Sequence, residues 1–390
     1  MRNFLVMGAG KMGIVLAKDL IDSNPQNKVT LIDISSTQLN KAEKFIKSER
    51  LIPLKRDIED EEQRKTIFEG QDVAISALLH KHSLLVVEEA VRRGVHLVDL
   101  VGEKPLDRLK YNDEAKEKGI IIISGCGVAP GIANICVGRG VHLLDETEKA
   151  IIYVGGNPLR PKPPLNYSIL FSIESLLNFY ERKTSILKKG KIRKIEPLSG
   201  VELIQFPPPF SKMECFYTDG LSSLLYTMKG KIKDELAEKT VRYPGHVQSI
   251  KILKACGLFS REPIYINNQK IIPREVLKVL LESKLKLGKE GDVTLMRVVV
   301  SGKKGEEHVT HIFEMIDYYD MEKGYTSMAK TTCYPASIIA QMIVSGEITQ
   351  RGVLFPENVF HSELYNPFMN ALKDKGINVT HKVIFRNRES

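Results

Sequence analysis

Gly8-Ala9-Gly10-Lys11-Met12-Gly13 is the stretch on which the reading of this 390-residue chain turns. It follows Asn3 to Met7 (NFLVM), a short apolar run of the kind a strand buried on both faces requires. It leads into Ile14 to Ile21, whose pattern is helical. Between a strand and a helix, each glycine of G-x-G-x-x-G has its own task. Gly8 permits the tight turn, Gly10 lets the backbone approach a pyrophosphate, and Gly13 lets helix and strand pack closely. The pyrophosphate then rests on the helix N-terminus, where free N–H groups and the helix dipole favour negative charge. Gly8, Gly10, Lys11, Met12 and Gly13 are therefore candidate cofactor-binding residues.

Working outward, Val29 to Ile32 is a second apolar run, and it ends in Asp33, 20 residues past Gly13. A carboxylate there accepts hydrogen bonds from the adenosine ribose hydroxyls and repels a 2′-phosphate. Ile34, Ser35 and Ser36 supply no cation to receive one, so NAD is expected over NADP. Further strands are expected at Ile52 to Leu54, Val73 to Ser76, His96 to Leu100 and Ile120 to Ser124. Helices over Thr37 to Ser48, Glu59 to Phe68, Leu84 to Arg93 and Lys110 to Lys118 separate them. This alternation is that of an α/β, doubly wound parallel sheet of the Rossmann type. Asp57 ends the third strand, at the rim where adenine lies in such sheets; Asp57 or Asp60 could equally cap the next helix. Ala77 and Leu78 follow the fourth strand, where the crevice for the nicotinamide opens.

Composition bounds the rest. Hydrophobic residues at 43% and charged residues at 27% argue for globular domains and against disorder, and the length asks for two or three of them. The net charge of +9 is spread along the chain. The one local run, seven cations from Arg182 to Lys194, reads as a solvated hairpin, so no nucleic-acid partner is expected. Five cysteines without a C-x-x-C pair fit a reducing cytoplasm and give no zinc signature. His80 and His82 lack a nearby carboxylate, so no metal is expected. Neither a signal peptide nor an apolar run long enough for a membrane span is present. There is no G-x-S-x-G elbow and no P-loop. Cys126 reads as a small buried residue, not a nucleophile, and the end from Arg386 to Ser390 as a frayed tail.

Five further segments narrow the field: Asp99 to Glu103 (DLVGE), Gly125 to Asn134 (GCGVAPGIAN), Tyr153 to Pro158 (YVGGNP), Tyr217 to Leu221 (YTDGL) and Thr240 to His246 (TVRYPGH). In combination they resemble the saccharopine dehydrogenase family over nearly the whole chain, in the branch that contains lysine 6-dehydrogenase and carboxynorspermidine dehydrogenase. Length and the Tyr-Thr-Asp-Gly-Leu segment bring the lysine 6-dehydrogenase members nearest. The resemblance implies a Rossmann domain with an inserted α/β domain, whose open sheet builds the substrate cleft and a homodimer interface. The expected division is 1–130 for the NAD-binding domain, 131–330 for the substrate and dimerisation domain, and 331–390 for a segment returning to the first. Ser337 to Val344 reads as a buried helix, with Tyr334-Pro335 marking its start. Strands are expected at Val293 to Val300 and His308 to Tyr318.

The activity implied is NAD-dependent oxidative deamination of an amino acid, L-lysine at its ε-amino group, giving a semialdehyde that cyclises. The alternatives are reductive condensation with NAD(P)H, as in saccharopine or carboxynorspermidine formation, and an NAD-sensing protein without turnover. Such chemistry needs a base, a clamp for the substrate carboxylate and a carbon held over the nicotinamide. Arg242 is the candidate clamp, by its bidentate fork, with an ion pair to an acid such as Glu238 as its competitor. Asp99, Glu103 and His246 are the candidate catalytic residues. Against that, Asp99 could cap its loop, Glu103 could pair with Lys104, and His246 could be a hydrogen-bonded or capping histidine. Glu174, Tyr217 and Thr218 complete the candidate substrate-binding set, Glu174 at a helix start where the dipole favours a carboxylate in any case.

Overall fold

Residues 1–170 and 172–386 are described by the structure, a computed structural model. The tail expected over 386–390 lies, beyond the end of the last strand, outside the described residues.

The apolar runs of the N-terminal third form strands whose side chains are almost all buried, as a sheet covered on both faces demands. In chain order they are β1 (Arg2–Met7), α1 (Lys11–Ser23), β2 (Asn27–Asp33), α2 (Ser36–Ile46), β3 (Leu51–Lys55), α3 (Glu61–Ile67), β4 (Val73–Ser76), α4 (Ser83–Arg93) and β5 (His96–Asp99). Then follow α5 (Pro105–Leu109), α6 (Asn112–Glu117), β6 (Ile121–Ser124) and α7 (Ile132–Leu143). The helix expected over Lys110 to Lys118 is α6, and a further short helix, α5, precedes it, opened by Pro105 at a first helical position. Asp60, not Asp57, caps α3 by accepting the Gln63 N–H at 3.0 Å.

The chain continues through β7 (Glu146–Pro158), α8 (Ile173–Phe179), β8 (Thr184–Lys188), β9 (Lys191–Ile195), β10 (Glu202–Ile204), β11 (Met213–Tyr217) and α9 (Leu224–Thr227). Next come β12 (Ile232–Arg242), α10 (His246–Ala255), β13 (Ile264–Ile266), β14 (Gln269–Ile271), α11 (Pro273–Lys284), β15 (Asp292–Lys304) and β16 (Glu307–Tyr318). It ends with α12 (Ser327–Val344), β17 (Gly352–Leu354), α13 (Pro356–Val359), α14 (Tyr365–Asp374) and β18 (Thr380–Arg386). The cationic run forms the β8–β9 hairpin, turned through Lys189 and Gly190 at φ 49° and 70°.

Two compact units result. The first comprises Met1–Leu143, Ser222–Thr227 and Ala329–Asn378. Its seven-stranded parallel sheet has the order β17-β6-β5-β4-β1-β2-β3, doubly wound about the β1–β4 switch point. Within it, the 222–227 excursion is held by Ser222 Oγ donating to the Gly102 carbonyl and Thr227 Oγ1 donating to Glu357 Oε1 at 2.7 Å. The second unit comprises Leu144–Leu221, Met228–Met328 and Val379–Ser390, built on a nine-stranded sheet. Its central path runs β10-β11-β12-β7-β15-β16-β18, with β12 parallel to β7 and the other pairs antiparallel.

Three expectations about the C-terminal half are corrected. The first unit extends to Leu143, so α7 belongs with it and not with the second domain. The segment 331–390 does not return as a whole, because β18 pairs antiparallel with β16 in the second unit. The helix containing Pro335 does not start there. It begins at Ser327, with the proline inside it, because the Asp292 carboxylate caps its end by accepting the Ser327 and Met328 N–H groups at 2.7 and 2.9 Å. Asp292 is 1% exposed, so water cannot replace those bonds. Asp292→Ala should cost about 1–2 kcal/mol of stability, read as a lower urea midpoint at unchanged slope.

Candidate functional site

At the C-terminal end of β1 the glycine loop closes tightly. The Gly8 N–H donates to the Ile32 carbonyl at 2.8 Å, and Gly8 takes φ +99°. A Cβ on Gly13 would fall 1.7 Å from the Gly8 carbonyl oxygen, so only glycine lets α1 start this near the strand. A Cβ on Gly10 would meet no protein atom within 4 Å; the space it would enter is the approach to the α1 N-terminus. No side chain caps α1 at Gly10. The N–H groups of Lys11, Met12 and Gly13 therefore head a thirteen-residue helix with an anion-favouring end, which fits a dinucleotide pyrophosphate. Ala77 lies beside the loop, its carbonyl oxygen 3.0 Å from a Cβ built on Gly8, and Leu78 follows it half-buried.

Asp33 is oriented by two backbone bonds: Oδ2 accepts from Ala9 N and Oδ1 from Ser35 N, both at 2.7 Å. Each carboxylate oxygen keeps a lone pair for a ribose hydroxyl. Asp57 instead shapes its own turn, Oδ1 accepting from Glu59 N at 2.9 Å. Register adds what local reading missed. Asp33 is paired with Lys55 across β2–β3, and the Arg56 N–H donates to the Asp33 carbonyl at 3.1 Å. Lys55 and Arg56, at and just past the end of β3, therefore lie beside Asp33 along the backbone, while the turn that follows Asp33 offers no cation.

Several candidate side chains turn out to be engaged elsewhere. Asp99 has no exposed surface; it pairs with Arg108 at 3.2 Å and accepts from Ser83 Oγ and, at 3.0 Å, from Val101 N. Burial pushes its carboxyl up, with Arg108 opposing. The reading of Asp99 as a base is corrected to the buried partner of Arg108. Glu103 is half-buried in the turn beyond, its carbonyl accepting from Arg108 Nη1. Cys126 is buried, which pushes its thiol well above the ordinary range.

His246, at the start of α10, also has no exposed surface. Its Nδ1 donates to the Leu165 carbonyl at 2.7 Å, which leaves Nε2 to accept from the Tyr180 hydroxyl at 2.8 Å. Burial, then the charge of Arg242, take its pKa down to about 3. A neutral ring with both nitrogens occupied is not a base for a substrate. Glu174 is likewise corrected. It pairs with Arg274 of α11 at 3.1 Å, in a cluster where Glu181 holds the same guanidinium at 2.6 Å. Tyr217 sits on the wrong face of its sheet: it is paired with Lys239, and its hydroxyl donates to Glu235 at 2.9 Å. Strand side chains alternate, so Lys239 and Arg242 point to opposite faces.

Arg242 and Thr218 remain together. Along β12, Leu236, Glu238, Thr240 and Arg242 share one face, and Thr218 Oγ1 bonds Thr240 Oγ1 there at 3.0 Å. Arg242 is 3% exposed, its guanidinium 4.6 Å from the centre of the Tyr167 ring. Nη1 donates to the Val241 and Gly156 carbonyls at 2.9 and 3.3 Å, and Nε has no partner. Among the described residues no carboxylate stands within ion-pairing distance of it. The competing pair with Glu238 is not formed, since four strand residues hold the two about 13 Å apart. An arginine keeps its charge, and a buried charge without a partner costs several kcal/mol. The arrangement fits an anion.

No group of His, Cys, Asp and Glu among the described residues could hold a metal, and no helix there is long and apolar enough to cross a membrane.

Comparison with known proteins matches the chain to two domain families. The saccharopine dehydrogenase NADP binding domain matches residues 4–123, and the saccharopine dehydrogenase C-terminal domain matches residues 127–377. A carboxyaminopropylagmatine dehydrogenase from Synechocystis is 23% identical over 79% of each chain. An L-glutamate-forming, NADP(+) saccharopine dehydrogenase from Saccharomyces cerevisiae is 22% identical over 98% of this chain and 99% of its own. The solved structure of that yeast enzyme superimposes with a TM-score of 0.82 over 98% of this chain and 100% of its own, at 20% identity.

The buried histidine has a consequence for stability. Its folded pKa lies below the ~6.5 of an unfolded histidine, so between pH 6.5 and about 3 the unfolded chain binds the extra proton. Its contribution is full above pH 6.5 and is lost as pH falls, by up to about 1.4 kcal/mol per unit. Denaturant titrations from pH 8 to pH 5 should show this slope, and His246→Gln should flatten it.

Proposed function

The chain belongs to the saccharopine dehydrogenase family, it is a pyridine-nucleotide oxidoreductase, and on that premise we propose that it oxidises the carbon–nitrogen bond of an amino-acid amine with NAD. The observation that carries the substrate half is Arg242, a buried guanidinium with no carboxylate partner among the described residues. A substrate carboxylate would supply the missing charge and fix which end of the molecule reacts. Thr218 offers a hydroxyl on the same face. Lysine, with one carboxylate and a distant primary amine, suits a site that anchors one end and oxidises the other.

The cofactor supplies the hydride acceptor when bound. Gly8, Gly10 and the N–H groups of Lys11, Met12 and Gly13 would hold its pyrophosphate, Asp33 its ribose, and Ala77 and Leu78 would line its path. The amine reacts as the neutral base: its carbon loses hydride, the nitrogen loses a proton, and water adds to the imine to release ammonia and an aldehyde. Glu103 stays the candidate for receiving that proton. A homodimer is supported by Val299 and Ile312, paired half-buried apolar residues on one face of the nine-stranded sheet. A cytoplasmic location is supported by five free cysteines.

A second reading runs the reaction in reverse, with NADPH joining an aldehyde to an amine. The nearness of Lys55 and Arg56 to Asp33 along the backbone favours it, as does the NADP(+) in the name of the yeast relative. Two assays separate the readings: NAD with L-lysine alone, scoring NADH and ammonia, and NADPH with an aldehyde and an amine. Turnover only in the second would replace the first reading. Arg242→Ala should raise KM for the amino acid about 100-fold or more, since a charged hydrogen bond is worth about 1.5–3 kcal/mol and two are lost, with KM for the nucleotide unmoved. Asp33→Ala should weaken NAD about 10-fold while leaving NADP unchanged or tighter.

A further inference from the structure

Glu238 is the other buried group on the Arg242 face of β12 that the protein leaves unanswered. It is 3% exposed, and among the described residues its Oε2 has no hydrogen-bond partner. Leaving a buried carboxyl oxygen unpaired is costly, more so if the group is charged. The surroundings are built to admit the carboxyl. A Cβ on Gly220 would fall 2.0–2.2 Å from its Cδ and both oxygens, so the group rests directly on the Gly220 backbone. Thr218 N donates to the Glu238 carbonyl at 3.2 Å, which fixes that loop against the strand. The acid nearest to it in charge is Asp219, so the local field is negative.

We propose that Glu238 recognises a distal cationic group, a primary ammonium or a guanidinium, on the substrate whose carboxylate Arg242 holds. This rests on the reading of Arg242 given above. The two side chains leave the same face of β12, and their Cα atoms are about 13 Å apart. The Thr218–Thr240 hydroxyl pair lies between them. An extended six-carbon ω-amino acid measures about 7–8 Å from carboxylate carbon to nitrogen, and an ion-pair contact of about 3 Å at each end brings the span to the same scale. An acidic end and a basic end on one strand face thus select a zwitterionic chain over a dicarboxylate. A cation gains an ion pair with the Glu238 carboxylate, and the second end of a dicarboxylate gains none. Burial, then Asp219, push the Glu238 carboxyl up to about 8, so the free protein holds it protonated and an arriving cation replaces that proton.

The test compares three probes that differ only at their ends: 6-aminohexanoate, hexanoate and pentylamine. Each is titrated calorimetrically into the full-length protein loaded with NADH. The wild type should bind 6-aminohexanoate at least 10-fold tighter than hexanoate. Glu238→Gln should bring that ratio close to one with hexanoate unchanged, and Gly220→Ala, which displaces the carboxyl, should do the same. NADH affinity reports that each variant is folded. A wild-type ratio near one, including no measurable binding of either acid, overturns the proposal, and so does a ratio that survives Glu238→Gln. Arg242→Ala should weaken both acids equally and spare pentylamine. If it leaves hexanoate unchanged, the carboxylate clamp is wrong, while loss of pentylamine binding in Glu238→Gln still upholds the cation site.

Discussion

Between the Gly8 carbonyl and the Gly13 Cα there is no room for a methyl group, and the first unit is organised around that contact. Because the two backbones touch, α1 begins where β1 ends, and its leading N–H groups face the sheet's C-terminal edge. The same closeness brings Ala9 N within 2.7 Å of Asp33, so the carboxylate proposed to orient a ribose is itself tied to the loop proposed to hold a pyrophosphate. Cys333 of α12 then packs its sulfur 3.2 Å from the Met12 carbonyl, seating the C-terminal helix on the same turn. A side chain at 13 would push α1 outward and loosen all three contacts together.

Buried charge organises the second unit in a different way. Elsewhere in the chain a buried cation is met by an acid: Arg108 by Asp99, Arg64 by Glu89, Arg274 by Glu174 and Glu181. Such clusters hold elements in place, and removing one member leaves a costly unpaired charge. Arg242 breaks the pattern, since carbonyl oxygens and an aromatic face surround it where a carboxylate would satisfy it. Glu238, on the same face, breaks it with opposite sign. Two uncompensated groups on one strand, one basic and one acidic, are a cost the fold bears without gaining stability, and complementarity to a ligand is the reason proposed for it.

Residues misread from sequence share one cause. Asp99, Glu174 and His246 were placed near the chemistry by their position in a segment, but their partners come from elsewhere. Arg108 is nine residues on, Arg274 a hundred, and Leu165 eighty-one residues back. Tyr217 was lost to phase, because the register of β11 against β12 sets it beside Lys239 and away from Arg242. Arg56 escapes a local reading for a related reason: sheet register, not the turn after Asp33, brings its backbone N–H to the Asp33 carbonyl. Pro335 misled because a proline usually opens a helix, and here a distant carboxylate, Asp292, caps it a turn and more earlier.

What the sequence determined by itself was whatever depends on short spacing. The strand–glycine–helix turn, the acid ending β2, and the period of buried strands all follow from residues within a few turns of one another, where backbone sterics and side-chain alternation leave little choice. The tertiary structure alone decided which polar groups are spent on the fold and which are left over. That outcome depends on desolvation and on partners brought in from remote segments, and no local pattern records either. Arg242 and Glu238 therefore stand out only once the distant partners of groups such as Arg108, Arg64 and Arg274 are in place.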